Sequence, residues 1–587
     1  MGHGKGTESR VWAGYVRPSL RPPSLMPVAR VPLFFLLLSL ALPAAAQLRL
    51  SAPLPTSAKA SGGGTEFYLE PVTSDGALGF PVGVAASPDG RLFVAEKNGR
   101  VKVVHADGTV PSTPFLDLPD VYPDGDRGLL GIELHPDFPE TPWVYVLYSV
   151  DDSPQPRPDS RSRGYGRLER YRLSESNPDV ADLSSRQILF GESYEDGIPS
   201  CFNSHTIGTV AFGHDGSLFV GAGDGASWAE VDPGGLYPEC FGENLVPEEQ
   251  DQGAFRAQWT ASLAGKILRL DPETGEGLAD NPFYTGDPTD PESKVWALGL
   301  RNPFRFTVGL RDPNLPTAPG ELFIGDVGWG SFEEINRARG GENFGWPCRE
   351  GPRPLPAYAS ATPPNAALAC EQPRAGVVTG PLAYFHHYLP DQSSPGGRVA
   401  FSITGGAFWD GDAYPERFQR RLFFADYSTG WVLAAEVNED GIVAVEEVLS
   451  ETYGLVDLTQ DPVSGLLLAV DIAQQRIVRL QHSGSGVNPP VARAQASLRY
   501  GVVPASVEFT SEGTFDPAGG TLTYEWSFGD NTGATGTRVT HRYDQPGTYG
   551  ATLTVTNSSG LTSQTTIPVT IGNSMPEVEV LQPTSPL

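Results

Sequence analysis

The 587-residue chain is poor in methionine, in cations and in cysteine, with 3 Met, 41 Lys plus Arg against 70 Asp plus Glu, and 4 Cys. A formal net charge of −29 argues against nucleic acid or an anionic membrane as a partner, because a phosphate-bearing surface rewards the opposite sign. A small neutral ligand suits that balance better. After the N-terminal leader no stretch reaches ~18 consecutive apolar residues, so no membrane span is expected. The cysteines have no CxxC pair and no histidine at zinc spacing, which argues against a structural metal. What the chain does have is turn formers and rings: Gly 68, Pro 55, Phe 28 and Tyr 20. That composition favours short strands joined by tight turns, and the length calls for two or more domains.

In "VARVPLFFLLLSLALPAAAQ", Arg30 precedes an apolar run from Val31 to Leu42 and small residues follow at Ala44 to Ala46. Residues 1–46 therefore read as a secretory signal region with cleavage near Ala46, Met26 being the alternative start, and 47–67 as a linker. Export, to the outside, the periplasm or the cell surface, implies oxidised cysteines. Three pairings of four cysteines exist; proximity in sequence favours Cys201 with Cys240 and Cys348 with Cys370. Each bridge closes a long loop, for which the chain-entropy model gives about 3 kcal/mol.

One phrase recurs: "RLFVAE" at Leu92, "SLFVGAGD" at Leu218, "ELFIGD" at Leu322, "RLFFAD" at Leu422 and "LLLAVD" at Leu467, with "WVYVLYS" at Trp143 as a looser sixth copy. Each is a turn, an apolar strand and, in most copies, an acid. Repetition of a unit that cannot bury both faces alone predicts a six-bladed β-propeller over 68–481, which also removes exposed sheet edges. The alternative is a set of unrelated sheets in several small domains. Copies are spaced unevenly, from 45 residues (Leu422 to Leu467) to 104 (Leu218 to Leu322), so the middle blades carry long insertions, where binding sites tend to be.

At "HSGSGVNPP" the composition turns to linker, 482–488. Beyond it "YEWSFGD", "HRYDQPGTY" and "ATLTVTN" alternate as strands at roughly ten-residue spacing, the pattern of a β-sandwich. These phrases resemble the PKD domain, an immunoglobulin-like module, over 489–572; the resemblance implies a spacer or a contact with polysaccharide or cell surface. The tail, 573–587, resembles the start of a further, truncated module. The expected fold class is all-β, a six-bladed propeller followed by an immunoglobulin-like sandwich.

Six phrases stand in order in the first part: "GDRGLLGIELHPDF", "HTIGTVAFGHDGSLFVGAGDG", "SLAGKILRLDP", "WALGLRNPFRF", "GDVGWGSFEEIN" with "NFGWP", and "SITGGAFWDG". Together they resemble the glucose/sorbosone dehydrogenase family, secreted propellers that oxidise aldoses with pyrroloquinoline quinone (PQQ) and calcium. The resemblance implies roles for matching positions. His205 would be the general base for a sugar hydroxyl, near-neutral imidazole suiting that task, and Asp224 a substrate contact. Arg301 would stabilise charge developing on the quinone oxygens, and Asn302 would hydrogen-bond them. The carbonyls of Gly328 and Trp329, with the Glu334 carboxylate, would bind Ca²⁺. An external electron acceptor is then also required.

Bland readings stand beside these: an isolated histidine in a β-protein is usually structural, Asp224 could be a turn former, and acidic loops in so acidic a chain are usually solvated. There are also departures. Asp126 stands at the cofactor position where PQQ-using members have glutamine. Thr429 replaces their lysine, Thr452 and Gly454 their arginines, and no Lys or Arg lies between Arg421 and Arg476. Three lost charge-assisted contacts, each on the order of 1.5 to 3 kcal/mol, weaken the case for a tricarboxylate, and the "RRLFFADY" region is more like the branch that includes hedgehog-interacting proteins. Rival expectations are a non-catalytic binding propeller and a calcium-dependent lactonase.

Overall fold

The computed structural model describes residues 67–572 apart from 122, 152–160, 238–239, 243–245, 316, 371–377, 389–393, 440, 484–489, 491, 513, 517–519 and 559. The leader with its cleavage point, nearly all of both linkers and the 573–587 tail lie outside the described residues.

Every copy of the recurring phrase forms the second strand of its own antiparallel sheet: Leu92–Glu96, Trp143–Asp151, Leu218–Ala222, Leu322–Asp326, Arg421–Asp426 and Leu467–Asp471. The strands before them, Pro81–Ala86, Leu129–Leu134, Ile207–Phe212, Pro303–Val308, Ile403–Trp409 and Leu455–Gln460, touch in cyclic succession, each against the next and the last against the first. The six sheets thus close into a ring, and we number the blades one to six in that order. Blade six takes its outer strand, Phe67–Pro71, from the other end of the chain; it pairs with Arg476–His482, a strand that runs one residue into the expected linker.

The second strands are buried along their whole length in blades one, three, four and six, because both faces meet neighbouring blades. That is why they read as unbroken apolar runs rather than as period-two alternation. The outer strand Ala181–Phe190 mixes buried with exposed positions. Among the described residues no helix is long and apolar enough to cross a membrane.

The two widest spacings of the phrase are insertions. In blade three the chain leaves the sheet at Ala222 and returns at Lys266; in blade four it leaves at Ala338 and returns at Ala383. The insertions share a small core of Ala226, Phe255, Trp346, Tyr358 and Leu368. Two disulfides hold this region, Cys201–Cys240 and Cys348–Cys370, the pairing expected from proximity.

Residues beyond the linker form a separate core around Phe509, Trp526, Leu553 and Val569. It lies between a three-stranded sheet and a five-stranded sheet, a sandwich of the expected kind. Tyr68 of the propeller meets Phe515 edge to face at 5.8 Å.

Candidate active site

The first strand of blade three starts at Ile207, and the turn before it places His205 in the left-handed region, φ 50°, which a non-glycine residue adopts at a cost. Surrounding contacts impose it. The His205 N–H donates to Asp126 Oδ2 at 3.2 Å and the His205 carbonyl accepts from Gly225 N at 2.9 Å. Gly223 passes so close that a Cβ there would lie 2.2 Å from the His205 carbonyl oxygen, so only glycine fits.

Asp224 follows. Its Oδ1 is 3.0 Å from His205 Nδ1 and accepts from Ala226 N at 3.0 Å, while its Oδ2 accepts from Trp346 Nε1 at 2.7 Å. His205, Asp224 and Trp346 are all buried, at 4, 1 and 4 % exposure. Two buried arginines hold the backbone on either side. Arg127 Nη2 donates to the carbonyls of Ser200, Cys201 and Phe202, and Arg256 donates to those of Asp224 and Gly225. The disulfides tether the same segments, Cys201 four residues before His205 and Cys348 two after Trp346.

Blade four contributes Arg301. Its carbonyl accepts from Asp224 N at 2.8 Å, and its guanidinium lies 5.5 Å over the Trp346 ring. Nη1 donates to the carbonyls of Val327 at 2.9 Å and Gly328 at 2.7 Å, whereas Nε is buried with no partner. The backbone N–H groups of Arg301 and Asn302 bond the Asp326 carboxylate at 3.1 and 2.6 Å. His205, Asp224 and Arg301 therefore converge.

Electrostatics follow from this packing. Burial and the Arg301 charge hold the His205 imidazole below its usual 6.5, against the pull of Asp224. Burial alone would raise Asp224, but the charges of His205 and Arg301 and the bonds it accepts take it below the ordinary carboxylate range. An ionised Asp224 accepts from Nδ1, so the ring proton sits there and the Nε2 lone pair is free to take another. Burial raises Asp126 despite His205, Lys97 and Arg301 nearby. Lys97, itself buried and donating to the Gly125 carbonyl, is a cation that sequence reasoning missed. Trp346 was missed as well, although the phrase "NFGWP" carries it.

The expected calcium set is not assembled. The Gly328 carbonyl already faces the Arg301 guanidinium. The N–H groups of Trp329, Gly330, Ser331 and Phe332 all point at Glu350 Oε1, at 2.8 to 3.2 Å, so the loop wraps a carboxylate. Glu334 is buried, accepts from Asn336 Nδ2 and Gly351 N, and has its pKa pushed up to about 7, chiefly by burial. Among the described residues no group of three or more His, Cys, Asp or Glu side chains could hold a metal ion. A Ca²⁺ ion at the Gly328 carbonyl would have to share it with the Arg301 guanidinium.

The model of the family Glucose / Sorbosone dehydrogenase matches residues 78–479, and that of the PKD domain matches 487–571. The chain belongs to the glucose/sorbosone dehydrogenase family. The HIPL1 protein of Arabidopsis thaliana is 28% identical over 359 residues, which cover 54% of this chain and 46% of HIPL1. Aldose sugar dehydrogenase YliI of Escherichia coli is 24% identical over 380 residues, 64% of this chain and 82% of YliI. The chain thus spans about half of HIPL1's length. A solved structure described as glucose dehydrogenase aligns over 72% of this chain and 100% of its own with TM-score 0.51 at 22% identity, a likeness of fold alone.

The residues present suit a family quinone at Arg301 better than at Thr429 and Thr452. The unpartnered Arg301 Nε, with His205 beside it, is the donor chemistry a quinone oxygen would need. At the positions that match the family's other cations, Thr429 N and Oγ1 both donate to Asp426, and Thr452 N and Oγ1 to the Gly430 carbonyl.

Proposed function

We propose that this chain is an exported oxidoreductase acting on a small sugar, with His205 as the base for a substrate hydroxyl. One observation carries the reading: a buried imidazole has one nitrogen held by an aspartate that is itself held by an indole, with a guanidinium alongside. Asp224 keeps the proton on Nδ1, so Nε2 takes the hydroxyl proton as the C–H bond breaks. Trp346 fixes the second Asp224 oxygen and so the plane of the imidazole. Arg301 stabilises negative charge that develops next to the ring. Hydride-accepting chemistry would be supplied by PQQ, held by Arg301 and Asn302, with Asp126 and Lys97 near the rim; electrons would then pass to an external acceptor. The two disulfides and the PKD module support an extracellular or periplasmic setting, with the sandwich as a contact for polysaccharide or cell surface.

A second reading, a binding propeller without redox activity, is favoured by the satisfied threonines at 429 and 452. The assay that separates them is dye reduction by the purified full chain with added PQQ and a panel of aldoses. Turnover in the wild type and none in His205→Ala is expected. Sugar binding without turnover at any PQQ concentration would establish the second reading, and lactone hydrolysis without quinone would establish the hydrolase.

A further inference from the structure

A second histidine–carboxylate pair lies in the neighbouring blade. His387 Nε2 is 2.8 Å from Glu333 Oε1, with both residues buried, at 2 and 0 % exposure. Glu333 Oε1 also accepts from Gly328 N at 3.2 Å and Oε2 from Ile403 N at 3.0 Å. Since the Gly328 carbonyl accepts from Arg301, one run of hydrogen bonds links this pair to the candidate active site. The other ring nitrogen, His387 Nδ1, is buried with no partner, an arrangement that costs free energy unless something completes it.

His387 lines a cleft of about 540 Å³ together with Tyr388, Arg398, Phe401, Thr429 and Trp431. Its walls are rings: His387 and Phe401 are 5.5 Å apart, as are Tyr388 and Phe401. Tyr388 is 61 % exposed, an aromatic face left open to solvent. Arg398 is ion-paired with Glu447, so the cleft holds no unanswered cation for an anionic ligand. Both Glu333 oxygens are taken by N–H donors, so His387 has no companion ligand for a metal ion.

The geometry points to a carbohydrate subsite here, in which the apolar face of an uncharged sugar ring lies on Tyr388 and Phe401 while a hydroxyl bonds His387 Nδ1. A hydroxyl both donates and accepts, so it completes either tautomer of the imidazole. The ligand class rests on the proposed sugar chemistry; the cleft's capacity to bind does not.

The test is calorimetric binding of cellobiose and of maltotriose to the full chain, without quinone, in a His205→Ala background that cannot turn over. Tyr388→Ala changes an exposed side chain and should weaken binding about tenfold, the scale of one lost aromatic contact. His387→Gln keeps an amide N–H for Glu333, removes the free ring nitrogen, and should weaken binding by a similar factor at unchanged Tm. Binding that neither variant alters, or no binding of either saccharide, overturns the subsite. So does binding of PQQ alone that Tyr388→Ala abolishes, which would make the cleft a cofactor site. Dye reduction by the wild type is scored separately, so failure of the redox reading leaves this result interpretable.

Discussion

The same strand ends in different ways in blades three and five. In blade five Asp426 falls on the last residue of the strand, and its carboxylate accepts from the N–H groups of Phe401, Ser402, Ser428 and Thr429. Asp326 in blade four likewise bonds the backbone of Arg301 and Asn302. In blade three that position is Ala222, and the acid arrives two residues later as Asp224, beyond the backbone N–H groups that lead into the blade. Besides Ala226 N, it bonds an imidazole and an indole. A carboxylate saturated by backbone amides is a splice that ties a blade together. One displaced past the frame is free to position side chains.

The largest expected effect tests the displaced acid. Asp224→Asn leaves the shape intact but admits the wrong tautomer of His205, and dye reduction should fall by about 10³- to 10⁴-fold, as when the orienting acid of a histidine base is lost. Far-UV circular dichroism should not change. The splice should behave oppositely. Asp426→Ala leaves several buried N–H groups without an acceptor and should cost about 3 to 5 kcal/mol in urea unfolding; a loss below about 1 kcal/mol would mean that the on-frame acids tie nothing together.

Acidity separates the two kinds of site more gently. The folded imidazole resists protonation because burial and Arg301 lower its pKa from 6.5. Below about pH 6.5 the unfolded chain then binds the extra proton more readily than the folded one, so this group's contribution to stability falls with acidification. The acid limb of activity should therefore lie below pH 6.5, and His205→Gln should flatten the stability slope on that side. An acid limb above pH 7 would contradict a buried, depressed imidazole. The smallest effect concerns metal. With the Gly328 carbonyl bonded to Arg301, millimolar Ca²⁺ or a chelator should leave Tm within about 1 °C, since only binding to the folded state raises it. A clear rise would mean that Arg301 releases the carbonyl.

Much of the fold was legible from local pattern. Six apolar phrases became six second strands because each copy, flanked by turn formers, is buried on both faces, and "YEWSF" and "ATLTVT" alternate because one face of each meets water. His205, Asp224 and Arg301 were legible through their phrases. The bond between the Gly328 carbonyl and the Arg301 guanidinium was not legible, because sequence does not show which way a carbonyl faces. Trp346, Lys97 and the His387–Glu333 pair were not legible as site residues, since their meaning lies in partners 28 to 122 residues away.

Strand pattern, the cysteine spacings that favour local bridges, the acidic balance and the sandwich that follows are written in residue type and short-range periodicity. Only the tertiary structure decided which carboxylate became a splice and which a partner for histidine. Ring closure brings chain segments together from different blades, and a hydrogen bond forms only where such segments end within about 3 Å of each other.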